Sequence, residues 1–193
     1  MQRRGLAAGQ TRAAIIEAVH TLLNAPRSSN LTLEEVARAA GVTRVTIYNQ
    51  FGSRRSLLTA AFSDQGRLIA YDRVVAATAM PDAGLALRAT LHEVCRAWDV
   101  IPRAIRRVLA LAVLDSEIGD VAERYERARR TQMAALARRL EAPVGPSAAA
   151  AILAALTHPQ TYFQFRADAG AKTAARRLEQ VVLSALGFSG EPR

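Results

Sequence analysis

A short polar run in the first third of the chain has side chains suited to contacts with a nucleic acid. Its members carry hydroxyl, guanidinium, phenol or amide groups: Thr43, Arg44, Thr46, Tyr48 and Asn49. No acidic residue occurs from position 42 to position 61. Such groups bind phosphate oxygens and base edges, and carboxylates would repel phosphates. We therefore expect a DNA contact here, the alternative being an ordinary solvated helix face.

The residues around this run have the pattern of a helix-turn-helix. Thr32 with Glu35 three positions later is a capping box that predicts a helix start. Gly41 tolerates the positive φ of a tight turn, and Thr43 caps the next helix. Ala37 supplies the small residue needed where the two helices cross. Apolar residues at suitable spacing pin the second helix to the first: Val36, Val42, Ile47 and Phe51.

These residues resemble the DNA-binding domain of the tetracycline-repressor (TetR) family of bacterial regulators. The resemblance covers about residues 10–62 and depends on three segments: TLEEVARAAGVT at 32–43, TIYNQF at 46–51 and SRRSLL at 53–58. Two positions depart from the family pattern. The family has Lys where this chain has Arg54, and it often has His or Tyr where this chain has Gln50.

The resemblance implies a role for each matching position. Thr32 and Tyr48 would contact phosphates, and Arg54 would hold the DNA backbone from the start of the fourth helix. The side chains implied to face the major groove are Thr43, Arg44, Thr46 and Asn49. Three further arginines are candidates for a mobile basic arm, with a solvated terminus as the alternative: Arg3, Arg4 and Arg12.

The composition is that of a helical protein with a basic N-terminal part. Of 193 residues 50% are hydrophobic and only 5% are aromatic. The net charge is +9, and residues 1–60 carry eight Arg against three Glu, a net charge of +5. A polyanion would bind where this positive charge is densest. Since there is one cysteine, no signal peptide and no apolar run of about 20 residues, we expect a cytoplasmic protein without a membrane span.

Hydrophobic periodicity predicts an all-α protein of about nine helices. A three-helix DNA-binding domain would occupy residues 1–60, and a helical ligand-binding and dimerisation domain residues 61–193. The fourth predicted helix begins at Ser53 and runs to the upper seventies. A later Ala-rich helix begins at Ser147 and is expected to kink at Pro159.

The resemblance also implies that the second domain encloses a ligand pocket and that its last two helices form a homodimer interface. Candidate interface residues lie on apolar helix faces, for which an internal core position is the alternative: Ile152, Leu178, Val181, Val182 and Ala185. Candidate ligand contacts are polar or aromatic residues in apolar helices, for which an ordinary core position is the alternative: His92, Cys95, Trp98, His158, Tyr162, Phe165 and Arg166.

The expected function is sequence-specific transcriptional regulation, with a repressor released from a pseudo-palindromic operator by a small molecule. A ligand-independent regulator and a DNA-architectural protein are the alternatives. The sequence has no Gly-rich phosphate loop and no His-Glu-x-x-His pair, so an enzyme is not expected. His92 and Cys95 could supply half of a metal site, but three His and one Cys make a metal or cofactor unexpected.

Overall fold

The computed structural model describes the backbone of residues 2–26 and 30–188 and the side chains of residues 9–26 and 30–188. Every regular element among these residues is an α-helix. Eleven helices follow one another along the described chain: α1 Gln2–Asn24, α2 Leu33–Ala40, α3 Arg44–Phe51, α4 Arg54–Leu68, α5 Tyr71–Thr78, α6 Ala83–Val100, α7 Pro102–Leu114, α8 Ser116–Ala137, α9 Pro146–Leu156, α10 Pro159–Ala167 and α11 Ala171–Ala185. None of them combines the length and the apolar character needed to cross a membrane.

The chain divides into two compact units. Unit 1 contains residues 1–67 and 103–123, and unit 2 contains residues 68–102 and 124–193. Unit 1 thus adds α7 and the beginning of α8 to the first three helices and most of α4. The functional boundary at residue 60 stays a prediction, because compactness does not define which residues bind DNA.

Unit 1 is built on the apolar stripe of α1. Ile15, Val19 and Leu23 recur every four residues and are at most 1% exposed, so this stripe faces the core. Side chains from the following helices that are equally buried close this core: Val36, Ile47, Leu57 and Leu58. The two short helices α2 and α3 are therefore held by packing, since eight residues form no stable helix in isolation.

Unit 2 is organised around α6, which packs against α5 and α11. Leu87, Leu91 and Val94 recur on one face of α6 and are at most 2% exposed. Leu178 and Val182 of α11 are also fully buried. Because these residues recur at steps of three or four, the α6 and α11 stripes bury each other as in other helical bundles.

The expectation of about nine helices was too low, and the first reason is a break in the fourth predicted helix. α4 ends at Leu68 and α5 begins at Tyr71. Ala70 between them has a left-handed φ of 50°, which a continuing α-helix excludes. The Arg96 guanidinium donates hydrogen bonds to the carbonyls of Ile69 and Ala70 at 2.7 and 3.3 Å and so stabilises the backbone at the break. Ala and Leu have high helix propensity, so the sequence pattern did not reveal the break.

The second additional helix arises at Pro159, where a kink was predicted. α9 ends at Leu156, and Pro159 occupies the first position of α10, which suits its fixed φ and missing N–H. The Nδ1 atom of His158 caps α10 by accepting from the Gln160 N–H at 3.2 Å. Burial and the nearby Arg129 and Arg130 lower the pKa of His158, outweighing Glu126, and a neutral imidazole can accept this bond.

Candidate nucleic-acid interface

Local hydrogen bonds fix the helix-turn-helix as the sequence predicts. The Thr32 hydroxyl accepts from the Glu35 N–H at 3.2 Å, and the Glu35 carboxylate accepts from the Thr32 N–H at 3.0 Å. Gly41 ends α2 with a φ of 66°, and Thr43 caps α3 by accepting from the Thr46 N–H at 3.2 Å. The capping box, the glycine turn and the second cap are therefore confirmed.

The outer face of α3 carries the predicted DNA-contacting side chains. Ile47 and Phe51 are buried, which turns the opposite side of this helix outward. Tyr48 is 45% exposed, Thr43, Arg44 and Asn49 are also exposed, and Thr46 is half-buried. A polar, acid-free and accessible helix face of this kind can enter a major groove. The DNA contacts themselves stay predictions.

Val45 belongs to this face but was missed by the sequence analysis. Its side chain is 66% exposed, although it is apolar and lies between Arg44 and Thr46. A valine has no hydrogen-bonding group, so its residue type did not mark it as a DNA contact. Methyl groups read DNA too, since an apolar side chain contacts the C5-methyl of thymine in the major groove.

Arg44 lies in an ion pair with Glu34 of α2. Both side chains are 53% exposed. Exposed ion pairs of this type stabilise a protein by about 0–1 kcal/mol. Loss of this ion pair would therefore cost the protein little stability.

Arg12 is fixed against α3, so the expectation of a mobile arm was wrong for this residue. Its guanidinium lies 4.2 Å above the Phe51 ring, in cation–π geometry. It also donates to the backbone carbonyl of Gln50 at 2.9 Å. Arg12 thus connects α1 to the C-terminal end of α3. The side chains of Arg3 and Arg4 lie outside the described residues.

Arg54 does not point outward as the predicted phosphate contact requires. Its guanidinium forms a bidentate pair with Asp115 at 3.1 and 2.7 Å and a third ionic hydrogen bond to Glu117 at 2.8 Å. The side chain is only 17% exposed. No local sequence pattern indicates this arrangement, since the carboxylates lie about sixty residues further along the chain.

Two further arginines join residues 103–123 to α1 and α4. Arg55 pairs with Asp120 at 2.5 Å. Arg107 donates to the carbonyls of Leu22 and Ala25 at the end of α1, at 3.3 and 3.2 Å. These hydrogen bonds attach the corner between α7 and α8 to α1 and α4, the other helices of unit 1 that they contact.

Within unit 2, three of the candidate ligand residues form polar contacts between α6 and the α9–α10 region. The indole N–H of Trp98 donates to the Thr157 carbonyl at 3.1 Å. The Tyr162 hydroxyl donates to Asp99 at 2.5 Å, and Arg166 donates to the same carboxylate at 3.0 Å. Burial, followed by the hydrogen bond to Asp99, raises the pKa of Tyr162. These groups satisfy one another without a ligand.

The remaining candidate ligand residues have separate environments. His92 is exposed, Phe165 is half-buried, and His158 is the cap of α10. Cys95 is buried, and this burial raises the pKa of its thiol to about 12, so the thiolate is not available at neutral pH. No group of three or more metal-ligating side chains occurs among the described residues.

Two of the predicted dimer-interface residues are core residues. Leu178 and Val182 are fully buried within a single chain, so they cannot face a partner. Val181 is 41% exposed, and Ile152 and Ala185 are half-buried. Periodicity placed the apolar stripe of α11 correctly but could not distinguish a core from an interface.

The described residues form an all-helical fold with a helix-turn-helix near its N-terminal end. Residues 28–61 match the family described as bacterial regulatory proteins, tetR family. A segment of 46 residues is 50% identical to the HTH-type transcriptional regulator AlkX of Mycobacterium tuberculosis. That segment is 24% of this chain and 22% of AlkX, so it spans less than a quarter of its relative.

Solved structures match over nearly the whole length. NalD of Pseudomonas aeruginosa, the secondary repressor of the MexAB-OprM multidrug efflux pump, gives a TM-score of 0.67 at 21% identity, covering 93% of this chain and 96% of NalD. A transcriptional regulator of Rhodococcus sp. Rha1 gives a TM-score of 0.66 at 15% identity, covering 91% and 96%. At these identities the two solved structures, both of transcriptional regulators, show that this chain shares their fold.

Proposed function

We propose that this protein is a transcriptional repressor that binds a pseudo-palindromic operator as a homodimer and leaves it when a small molecule binds unit 2. The exposed and acid-free face of α3 is the observation that carries the proposal. A helix with this face, braced by Arg12 and capped at Thr43, suits insertion into a major groove. Such a partner implies action in the cytoplasm, where the DNA of a bacterium lies.

The side chains of α3 would divide the DNA contacts among them. Asn49 can form a bidentate pair with adenine and Arg44 with guanine, while Thr46 offers a hydroxyl to either. Tyr48 would contact a phosphate. The hydroxyl of Thr32 is engaged in the capping box, so it would add less to phosphate binding than the resemblance implies.

The proposed dimer uses exposed and half-buried residues of α9 and α11. The side chains that can face a partner are small or apolar: Ala148, Ala151, Ile152, Ala155 and Val181. Small side chains allow helices to approach closely, and a two-fold axis presents the same patch from both subunits. Two DNA-binding domains would then contact half-sites whose centres lie roughly 34–36 Å apart.

The proposed ligand site lies near Trp98, Tyr162 and Arg166. An aromatic side chain and a guanidinium–carboxylate pair suit an apolar or aromatic molecule that carries one polar group. Such a ligand would replace the hydrogen bonds that Tyr162 and Arg166 give to Asp99. This replacement would couple ligand binding to a change in the α6–α10 contact.

Selection of bound DNA from a random pool tests the DNA-binding part. The wild type should enrich an inverted repeat, whereas Thr46→Ala and Asn49→Ala should enrich sequences with weaker preferences at one or two positions of each half-site. Arg138→Ala, which removes an exposed arginine directly after α8 in unit 2, is the matched control and should enrich the wild-type repeat. Failure of the wild type to enrich any sequence would contradict the proposal.

Fluorescence of Trp98 tests ligand control. A compound that releases the selected operator should change the emission of this residue, the only tryptophan of the chain. Tyr162→Phe should require a higher concentration of that compound while its operator affinity without ligand stays at the wild-type value. If Tyr162→Phe released the operator at the same compound concentration as the wild type, the ligand would bind elsewhere. If no compound released the wild type, a ligand-independent regulator would be favoured.

A further inference from the structure

We propose that Arg54 is a positioning residue: it holds the entrance of α2 against the corner between α7 and α8, and it does not bind a DNA phosphate. The proposal rests on the proposed DNA-binding function and assigns Asp115 and Glu117 a part in operator affinity. The residues that make up this Arg54 cluster are Leu31, Arg54, Asp115 and Glu117.

The hydrogen bonds of the guanidinium use its whole donor capacity. Nε and Nη2 donate to the Leu31 carbonyl at 3.4 and 3.3 Å. Nη1 and Nη2 donate to the two oxygens of Asp115 at 3.1 and 2.7 Å, and Nη1 also donates to Glu117 at 2.8 Å. A guanidinium has five N–H groups, and five hydrogen bonds occupy them. No donor remains for a phosphate oxygen unless one of these bonds breaks.

The charge of the cluster also opposes a phosphate contact. One guanidinium faces two carboxylates, so the cluster as a whole carries a charge of −1. The hydrogen bond from Arg54, which outweighs burial, lowers the pKa of Asp115 and keeps it ionised at neutral pH. A phosphate approaching Arg54 would therefore meet a net negative charge in a partly buried site, where screening by salt is weak.

The third partner of Arg54 connects the cluster to the DNA-binding helices. Leu31 is 1% exposed and has a φ of 53°, an unfavourable backbone conformation for a branched side chain. It directly precedes Thr32, the cap of α2. The two hydrogen bonds from Arg54 stabilise this conformation and so fix the point where the chain enters the helix-turn-helix.

A neighbouring ion pair provides a matched control. Arg55 pairs with Asp120 on the same two elements, but these side chains are 47% and 50% exposed. An exposed pair contributes little, whereas loss of one partner from a part-buried cluster leaves uncompensated charge. The two pairs thus differ in burial and in contact with Leu31 rather than in position along the chain.

The proposal is tested by measuring operator affinity at several salt concentrations for three variants: Asp115→Asn, Arg54→Lys and Asp120→Asn. Asp115→Asn and Arg54→Lys should each bind about tenfold more weakly with an unchanged salt slope, since no phosphate contact is lost. Asp120→Asn should stay within about twofold of the wild type. If Arg54 were a phosphate ligand, Asp115→Asn would free it and strengthen binding, and Arg54→Lys would retain affinity as a point charge. Either of those results overturns the proposal.

Glu117→Gln keeps the test decisive if Asp115→Asn does not fold, because it removes one charge and preserves the bidentate pair. It should weaken operator binding about threefold with the same salt slope, while circular dichroism confirms the folded state.

A double variant with Arg54→Lys and Asp115→Asn gives a second test. Its Kd for the operator should be at most about twice that of the weaker-binding single variant, because both changes break the same cluster. Additive losses, or binding of Glu117→Gln at wild-type strength, contradict the proposal. A wild type without specific operator binding would instead refute the proposed function on which it rests.

Discussion

Gly119 of α8 approaches the backbone of α7 so closely that a Cβ added to it would lie 2.8 Å from the carbonyl oxygen of Ala112. Side-chain carbons essentially never come this near to a backbone oxygen, and neither helix backbone can move without shifting the corner. Gly→Ala inside a helix ordinarily raises the free energy of unfolding by about 0.5–1 kcal/mol. We expect Gly119→Ala to lower it instead, by about 1–3 kcal/mol.

Gly66→Ala in α4 is the control for this substitution. A Cβ at Gly66 meets no atom within 4 Å, so this variant should show the ordinary gain in stability. Urea titrations of both variants measure the comparison. Equal gains would mean that α7 and α8 are not in close contact at Gly119.

Val45→Ser should weaken operator binding only where a thymine methyl faces α3. The 66% exposed valine methyls can pack on that group, and a serine hydroxyl cannot replace them. We expect replacement of the contacted thymine by deoxyuridine to weaken wild-type binding about fivefold and to leave Val45→Ser unaffected. Anisotropy titrations of both proteins with both DNAs measure this coupling. Equal losses in the two proteins would show that Val45 does not contact the methyl group.

Asp115 should make unfolding depend on acid pH. Its pKa is lowered in the folded protein, first by the hydrogen bond from Arg54, so the unfolded chain binds its proton at a higher pH. The stabilisation is complete above the ordinary value of 3.8 and is lost as the pH falls through the lower folded value. Asp115→Asn should therefore have a flatter stability profile in that range. Parallel profiles would indicate that Asp115 is not paired in solution.

Charged substitutions at two neighbouring positions of α11 should have different effects. Leu178→Asp places a charge in a fully buried position and should lower the free energy of unfolding by about 3–5 kcal/mol or prevent folding. Val181→Asp alters a 41% exposed side chain and should leave the chain folded but reduce dimer formation. Light scattering and circular dichroism distinguish these outcomes. A folded Val181→Asp that remains dimeric would exclude this face of α11 from the interface.

Local signals in the sequence were sufficient for the helix-turn-helix. Thr32 with Glu35, Gly41 and Thr43 act through hydrogen bonds and backbone preferences within a few residues, so their types and spacing decide the geometry. Ile47 and Phe51 were placed inside by the same periodicity that left Asn49 outside. Composition and hydrophobic periodicity likewise predicted the helices that make up every regular element of the described residues.

Contacts between distant residues were decided only by the tertiary structure. The sequence could not reveal that Arg54 meets Asp115 or that Arg12 lies on Phe51, because no local rule links residues so far apart. Nor could it separate the buried Leu178 from an interface residue, since an apolar stripe has the same pattern whether it packs within one chain or against another. The break at Ala70 has the same origin: tertiary hydrogen bonds from Arg96 stabilise a conformation that helix propensity disfavours.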